Sequence, residues 1–510
     1  MAGGGDGFDV RDDLPGADGP PAGDPAKRGG KRDAQRTVLH DMLTSGDIEL
    51  WLCADNGEAM ASVGPENMPV KSRPFEYFGQ SEYTKRTGEP LGATRLGEFA
   101  ALAIAGAVNG GRRFSPCRRW AETAGGDIAC DLGGSDDPNR GYAVIDRNGG
   151  GWKIVEAVAD VKFSRPADAL AMPKPEHDAA RVETLQEFLS LQSKDDLALA
   201  WAWLVCAARP GAKAYPIAAL SGLQGAGKSS AARRLQDLVD PSGVTGRGLP
   251  REERDLAAAV AARHLVSFDN LSSLPTWLSD ALARIATGGG FASRRLHTDA
   301  DEHLTFAIRP VIVNGIADIL GRADLADRTL RIELTPPETR RTDEELDKRW
   351  TEAWPGLLGL LLDGLSAGLR LFDKVEIVDP PRMASAARWA TACAAGLGLA
   401  PESIAPAWRA NRNAGDRAII ETDDVAIALI SHLAACPEDI WRGTATQLLN
   451  ELSSRVSERI ARGRDWPATA SALGLRLRRL APALRAGANI EAKQARSGAD
   501  GARIWTFRRI

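Results

Sequence analysis

The sequence predicts an α/β protein with a parallel sheet covered by helices at its centre, a small α+β domain before it, and a helical region and a small basic domain after it. Three observations predict this. Between Tyr215 and Leu334 short apolar runs alternate with helical patterns, as they do where helices cross over a parallel sheet. The glycine-rich stretch "GLQGAGKSS" lies between the first such strand and the first such helix. Charge is unevenly divided: the whole chain carries −4, but from Trp441 to Ile510 there are 14 Arg or Lys against 5 Asp or Glu, a net +9 that leaves −13 for the rest.

At 510 residues the chain is too long for one core and divides into roughly three or four domains. Its 44% hydrophobic and 26% charged residues are those of an ordinary globular protein and exclude a fibre or a wholly disordered chain. No charged-then-apolar segment opens the sequence, and the most apolar run, "LLGLLLDGLSAGL", is short and interrupted by Asp363. No membrane span is therefore expected, and a cytoplasmic location is. Cys53, Cys117, Cys130, Cys206, Cys393 and Cys436 are scattered without a close pair. Buried free thiols are expected, with neither a disulfide framework nor a zinc site.

Each element follows in order. Of the first 30 residues 13 are Gly or Pro, which predicts a disordered tail over 1–36 because such a segment buries too little apolar surface to offset chain entropy. Residues 37–177 read as the α+β domain, with a helix in "RLGEFAALAIAGAV" and strands around the turn of "YAVIDRNGGGWKIVEAV". It has no carboxylate pair suited to two-metal chemistry. The central domain, 178–340, opens with the helical patterns "VETLQEFLSL" and "DDLALAWAWLVCAA", with Asp195 or Asp196 as N-cap. Strands are expected in "YPIAALSG", "HLVSFDN", "RPVIVNG" and "RTLRIEL", and helices in "KSSAARRLQDLV", "REERDLAAAVAAR" and "PTWLSDALARIAT". Residues 341–438 read as helical. The last domain, 439–510, has a Thr-capped helix "TATQLLNELSSRV", an arginine-rich helix "PATASALGLRLRRLAPALRA", and two extended runs around "SGADG". Helices followed by a terminal hairpin make a winged helix, with Arg476, Arg478, Arg479 and Arg485 on or beside its recognition helix. Basic charge on that fold points to nucleic acid. A solvated arginine-rich helix fits the charge alone.

The chemistry concentrates in the glycine loop. Gly222, Gly227, Lys228 and Ser229 fit G-x-x-x-x-G-K-[ST]. Glycines let backbone N–H groups approach phosphates, here from Gly222, Gly225, Ala226, Gly227, Lys228, Ser229 and Ser230. Lys228 bridges the outer phosphates, and Ser229 offers a hydroxyl to Mg²⁺. The helix beginning there adds its positive end. The apolar strand ending in Asp269 supplies a second Mg²⁺ group about 40 residues on. The next residue is Asn270, whose amide can orient water but cannot accept its proton.

These features resemble, in kind and order, the superfamily 3 helicases of the AAA+ class, especially the phage and poxvirus primase-helicase group. The resemblance covers about Leu185 to Leu334, and the C-terminal end more loosely. It implies a P-loop AAA+ core, ATP with Mg²⁺ at subunit interfaces, and a ring, by resemblance a hexamer. It implies that Asn314 senses the γ-phosphate and that Arg328, with Arg322 as second candidate, reaches a neighbour's nucleotide. A salt bridge from Arg328 to Asp324 or Asp327 fits the same residues. Arg294, Arg295 and His297 would sit on a DNA-facing hairpin, although its turn departs from the family's basic tip in carrying Asp299, Asp301 and Glu302. The expected function is an ATP-dependent DNA helicase or translocase of a phage or mobile element, acting in replication with DNA as partner, and, as 37–177 lacks a carboxylate pair for polymerisation, any primase is expected to be a separate chain. A slowly hydrolysing DNA-binding switch or loader, or an AAA+ interaction protein, is the alternative.

Overall fold

The computed structural model describes residues 36–510, apart from 135, 149, 192, 272–273, 289, 295–301, 307, 316–322, 338, 464 and 498–501. The expected tail, but for residue 36, lies outside the described residues. The described residues form two compact units, one of 36–64 with Met68–Arg113, the other of Pro65–Asn67 with Phe114–Ile510.

The first unit carries helix α1 (36–44), strands β1 (Ile48–Cys53) and β2 (Ala59–Val63), and helices α2 (Arg73–Thr87) and α3 (Ala93–Gly110). β1 and β2 pair antiparallel in a four-stranded sheet completed by the short strands β3 (Glu66–Pro69) and β4 (Arg113–Phe114). Phe75 of α2 stacks on Phe99 of α3 at 5.1 Å between ring centres, in a core with Leu39, Tyr83 and Ala103.

In the second unit an antiparallel meander comes first: β5 (Trp120–Glu122), β6 (Ile128–Asp131), β7 (Tyr142–Ile145) and β8 (Trp152–Val155). The sequence suggested that these strands share a domain with α3; instead the division falls at Arg113, because the meander is fastened to the central domain. Trp120 Nε1 donates to the carbonyl of Val239 at 2.8 Å. Arg119, 2% exposed, donates to Asp240 Oδ1 and to the carbonyls of Asp131, Gly133 and Leu170. Asp240 Oδ2 accepts in turn from the backbone N–H groups of His264 and Leu265. A buried guanidinium is tolerated only when its donors are used in this way.

Helices α4 (Val182–Leu189) and α5 (Lys194–Ala207) lead into the central domain. The N-cap of α5 is Ser193, not Asp195 or Asp196: its hydroxyl accepts from the N–H groups of both aspartates, which occupy the first turn. Their carboxylates suit the positive helix end without capping it. From Leu197 to Ala207 every residue of α5 is buried, as expected of a helix apolar all round.

The central sheet holds β9 (Ile217–Gly222), β10 (Val266–Leu271), β13 (Val311–Gly315) and β14 (Thr329–Leu334), all four expected strands, in the order β10-β13-β9-β14 with every pairing parallel. Continuous runs such as Ile217–Leu220 and Val311–Val313 are buried, the signature of strands covered on both faces. Helices α6 (Lys228–Val239), α7 (Glu253–Ala262) and α8 (Thr276–Thr287) supply the crossovers. Between α8 and β13 the strands β11 (Gly290–Arg294) and β12 (Glu302–Phe306) pair as an antiparallel hairpin, Arg294 opposite Glu302. The turn with Arg295, His297, Asp299 and Asp301 lies outside the described residues, as does Arg322.

After the short helix α9 (Ala323–Ala326) and β14 come α10 (Asp343–Leu371), α11 (Ala384–Leu397), α12 (Pro401–Thr422) and α13 (Asp424–Leu433). Among the described residues α10 alone is long and apolar enough to cross a bilayer, and most of its apolar stretch is buried in the protein. It runs through Pro355, an interior proline that costs a helix about 3 kcal/mol. Leu357, Leu358, Leu361, Leu362 and Leu365, all fully buried, offset that cost at about 1.5–3 kcal/mol each.

The chain closes with β15 (Ile440–Thr444), α14 (Ala445–Ser453), α15 (Glu458–Ala461), α16 (Ala470–Ala488), β16 (Ile490–Ser497) and β17 (Ala502–Arg509), the strands ordered β15-β17-β16. Thr444 and Gln447 form a capping box on α14, and Thr469 caps α16. Leu473, Leu477, Leu480 and Leu484 turn one face of α16 onto Trp505 and Phe507 of the hairpin.

We predict that Arg119→Ala destabilises the second unit by about 3–5 kcal/mol, since it leaves Asp240 buried without its partner. Arg112→Ala breaks only the exposed pair with Glu49 and should cost less than about 1 kcal/mol. Chemical denaturation of both variants checks the contrast.

Candidate functional site

The glycine loop leaves the C-terminal end of β9 and re-enters the fold as α6. Gly222 has φ of +145°, and a Cβ there would lie 2.2 Å from the carbonyl oxygen of Leu334 on β14, its register partner. No other residue fits. Gly225 and Gly227 also have positive φ, at +82° and +75°, which glycine adopts at no steric cost. Gly227 is the N-cap of α6 and makes no side-chain cap, and no acidic residue occupies the first turn. The first N–H groups of the helix and its positive dipole end are thus left to an anion.

Lys228 Nζ donates to the carbonyls of Gly222 and Leu223 at 2.8 and 3.0 Å, which holds the ammonium over the loop. Ser229 Oγ donates to Asp269 Oδ1 at 3.0 Å. Strand order then adds a third group. β13 lies between β9 and β10, so Asn314 at its end comes between the loop and Asp269. Asn314 is 2% exposed, and its Oδ1 accepts from the backbone N–H of Asn270 at 2.8 Å. Because that partner is a donor, the other end of the amide must be Nδ2, and this buried donor has no partner. Asn270 sits at an irregularity of β10 with φ of +56°, a region that asparagine enters more readily than most residues.

These groups share one cleft of about 860 Å³. At one end are Lys228, Ser229, Asp269, Asn270 and Asn314; at the other are Asp196, Arg331, Glu333, Asn411, Ala414 and Ala418. Burial raises the pKa of Asp196 above the ordinary carboxylate value, opposed by the hydrogen bond it accepts from the Glu333 N–H. Sequence reasoning missed this second end, because no local motif marks it. It also missed Gly246. The segment around Arg247 runs beside β10, Arg247 N donating to Ser267 O and Asp269 N to Arg247 O. Gly246 thereby lies against Asp269, where a Cβ would come within 2.5 Å of the Asp269 Cβ.

Arg328 is not in the cleft. It pairs with Asp324, donating to both its carboxylate and its carbonyl, while its Nε is buried without a partner. Asp327 pairs with Arg382 and Arg412 instead. For the backbone of Arg294 the hairpin is present, as described above. In the C-terminal domain Arg478, Arg479 and Arg485 are exposed on α16. Arg476 differs, since it donates to Asp423 Oδ2 at 2.9 Å and to the carbonyl of Asp465, tying α16 to the N-cap of α13. Its guanidinium is committed inside the domain and is not a free surface cation. Arg478 reaches Gln494 Oε1 of β16 at 3.3 Å. By strand alternation Gln494 shares a face with Arg496 and its register partner Arg503, two further exposed arginines that helix-based reasoning overlooked.

The fold is that of an α/β protein with the glycine loop, Asn314 and Asp269 gathered at one edge of a parallel sheet. Residues 182–412 match the family model of the actinomycete integrative conjugative element replication protein, and residues 425–510 match that of the AICE RepA C-terminal domain. In these two stretches the chain is similar to replication proteins of mobile elements. No curated protein matches it. Among solved structures, the A form apo structure of the NrS-1 C-terminal region is 11% identical at a TM-score of 0.41, covering 92% of this chain and 99% of that one. JCV helicase is 14% identical at a TM-score of 0.24, covering 43% and 65%.

Gly246→Ala should displace Asp269 while leaving the glycine loop intact. We expect the Ser229–Asp269 hydrogen bond to be lost and the bonds of Lys228 to Gly222 and Leu223 to stay. A crystal structure of the variant checks both.

Proposed function

We propose that this chain is an ATP-driven DNA helicase or translocase that replicates a mobile element, working as a ring of its own copies. The parallel sheet is then a P-loop core of the AAA+ kind, and the C-terminal domain a winged helix. The triphosphate lies along Gly222–Gly227 and the start of α6, with Lys228 as counter-charge to its outer phosphates. Ser229 and Asp269 are an oxygen donor set of the kind Mg²⁺ prefers. That ion, when bound, offsets the charge that develops in phosphoryl transfer. Asn314 donates through Nδ2 to the γ-phosphate or the attacking water.

One observation carries the reading: a buried, unpartnered amide donor beside a hydrogen-bonded Ser229–Asp269 pair at the mouth of a glycine loop. A buried donor left unmade costs about 1–3 kcal/mol, which a phosphate oxygen would relieve. Arg328 is the residue offered to a neighbouring copy. Asp324 is half exposed, and a phosphate, with more charge to offer a guanidinium, can displace it. On the DNA side Arg478, Arg479 and Arg485 face the duplex from α16, with Arg496 and Arg503 on the hairpin.

A slowly hydrolysing switch or loader is the second reading, and Asn270 favours it. Its amide cannot take a proton from water, and its backbone N–H is already spent on Asn314.

ATP hydrolysis measured with and without single-stranded DNA, together with unwinding of a forked duplex, separates the two. Stimulation with unwinding is the helicase result, and tight DNA binding with little turnover is the switch. Lys228→Ala should abolish turnover; undiminished hydrolysis would overturn the site. Arg328→Ala should bind ATP yet hydrolyse it about 10³-fold more slowly or worse. Replacing Arg478, Arg479 and Arg485 together by Ala should flatten the dependence of log K on log salt by about 0.9 for each phosphate no longer neutralised.

A further inference from the structure

The far end of the cleft is closed by one helix that belongs to two domains. Ala414 and Ala418, one turn apart on α12, line the cleft. One residue further on, Ile419 and Ile420 lie in the hydrophobic core of the C-terminal domain with Leu477, Leu484 and Trp505. On α16, Gly487 approaches so closely that a Cβ would meet Ile420 at 2.8 Å and the backbone of Arg417 at 3.1 Å. Nothing separates the two roles, since α12 is continuous from Pro401 to Thr422.

The same helix is clipped to the sheet. β14 is an edge strand, and its outward backbone groups need partners. Asn411 supplies them at Arg331: its Oδ1 accepts from Arg331 N at 3.0 Å and its Nδ2 donates to Arg331 O at 2.5 Å. One carboxamide thus pairs Arg331 as a residue of a further strand would, while the Glu333 N–H goes to Asp196, and it fixes α12 against the strand that pairs with the glycine-loop strand β9. Arg412, the next residue, pairs with Asp327 at 2.8 Å, next to Arg328.

We propose that Asn411 is a positioning residue that makes nucleotide occupancy of the cleft and DNA binding by the C-terminal domain one linked equilibrium, transmitted by α12. This rests on the functional reading above, which supplies the two ligands. A ligand seated against Ala414 and Ala418 selects one placement of α12 relative to β14, and the C-terminal core moves with the helix. Linkage is reciprocal: the factor by which nucleotide changes DNA affinity is the factor by which DNA changes nucleotide affinity.

The experiment uses the full chain with a non-hydrolysable ATP analogue and a duplex. For wild type we expect each ligand to change the affinity of the other by the same factor, within about 5- to 150-fold. Asn411→Ala should bring that factor below about twofold, whatever it does to the affinity of the cleft for nucleotide alone. A merely structural role would weaken both affinities and leave the linkage factor at its wild-type value, which overturns the proposal. So does wild-type binding of both ligands without linkage. Should Asn411→Ala fail to fold, hydrogen exchange on wild type decides: adding the analogue should slow exchange across Ile419–Leu433 and Ala470–Ala488. Protection confined to the cleft would overturn the proposal. Failure of wild type to bind nucleotide or DNA at all would instead sink the functional reading.

Discussion

The cleft depends on one constraint, the parallel insertion of β13 between β9 and β10. Parallel strands point their C-terminal ends the same way, so the glycine loop, Asn314 and Asp269 emerge on one edge of the sheet. Were β9 and β10 adjacent, Ser229 and Asp269 could still meet, but Asn314 would lie outside them. With β13 between them, the Asn314 carboxamide takes the N–H of Asn270 and keeps its own donor free. Burial gives that arrangement its force, because an amide in water would exchange partners at little cost.

The back of the same domain is held by a different kind of contact. The helix that starts at the glycine loop ends at Asp240, and there Arg119 and Trp120 of the meander meet it. A saturated buried guanidinium contributes little net stability but is costly to break. Its consequence is positional: the accessory sheet is fixed to the C-terminal end of α6, whose N-terminal end carries the site.

Much of this was legible in the sequence. Four strands of the central sheet, the glycine loop, the Thr444 cap and the terminal hairpin all announce themselves through period, composition or spacing. Ser193 shows where local reasoning stops. Aspartates and serine are all good N-caps, and only the helix start selects among them. The meander was assigned to the wrong neighbour because a domain boundary depends on long-range bonds such as Arg119 to Asp240, 121 residues apart. Arg476 looked like its exposed neighbours because helical spacing does not reveal that Asp423 lies opposite it. Gly246 and Asn411 have no motif: one matters for what a Cβ would strike, the other for a strand edge 80 residues away.

The sequence by itself determined the chemistry on offer: a loop that only glycines can form, a lysine and serine at fixed spacing, an aspartate ending an apolar strand, and arginines gathered at one end. These are short-range properties, set by backbone sterics and side-chain type. Tertiary structure alone decided which groups meet. Strand order brought Asn314 to Asp269, packing made α12 a wall of the cleft and part of the C-terminal core, and ion pairing drew Arg328 and Arg476 away from solvent. Such choices rest on contacts between residues far apart in the chain, whose partners local patterns do not name.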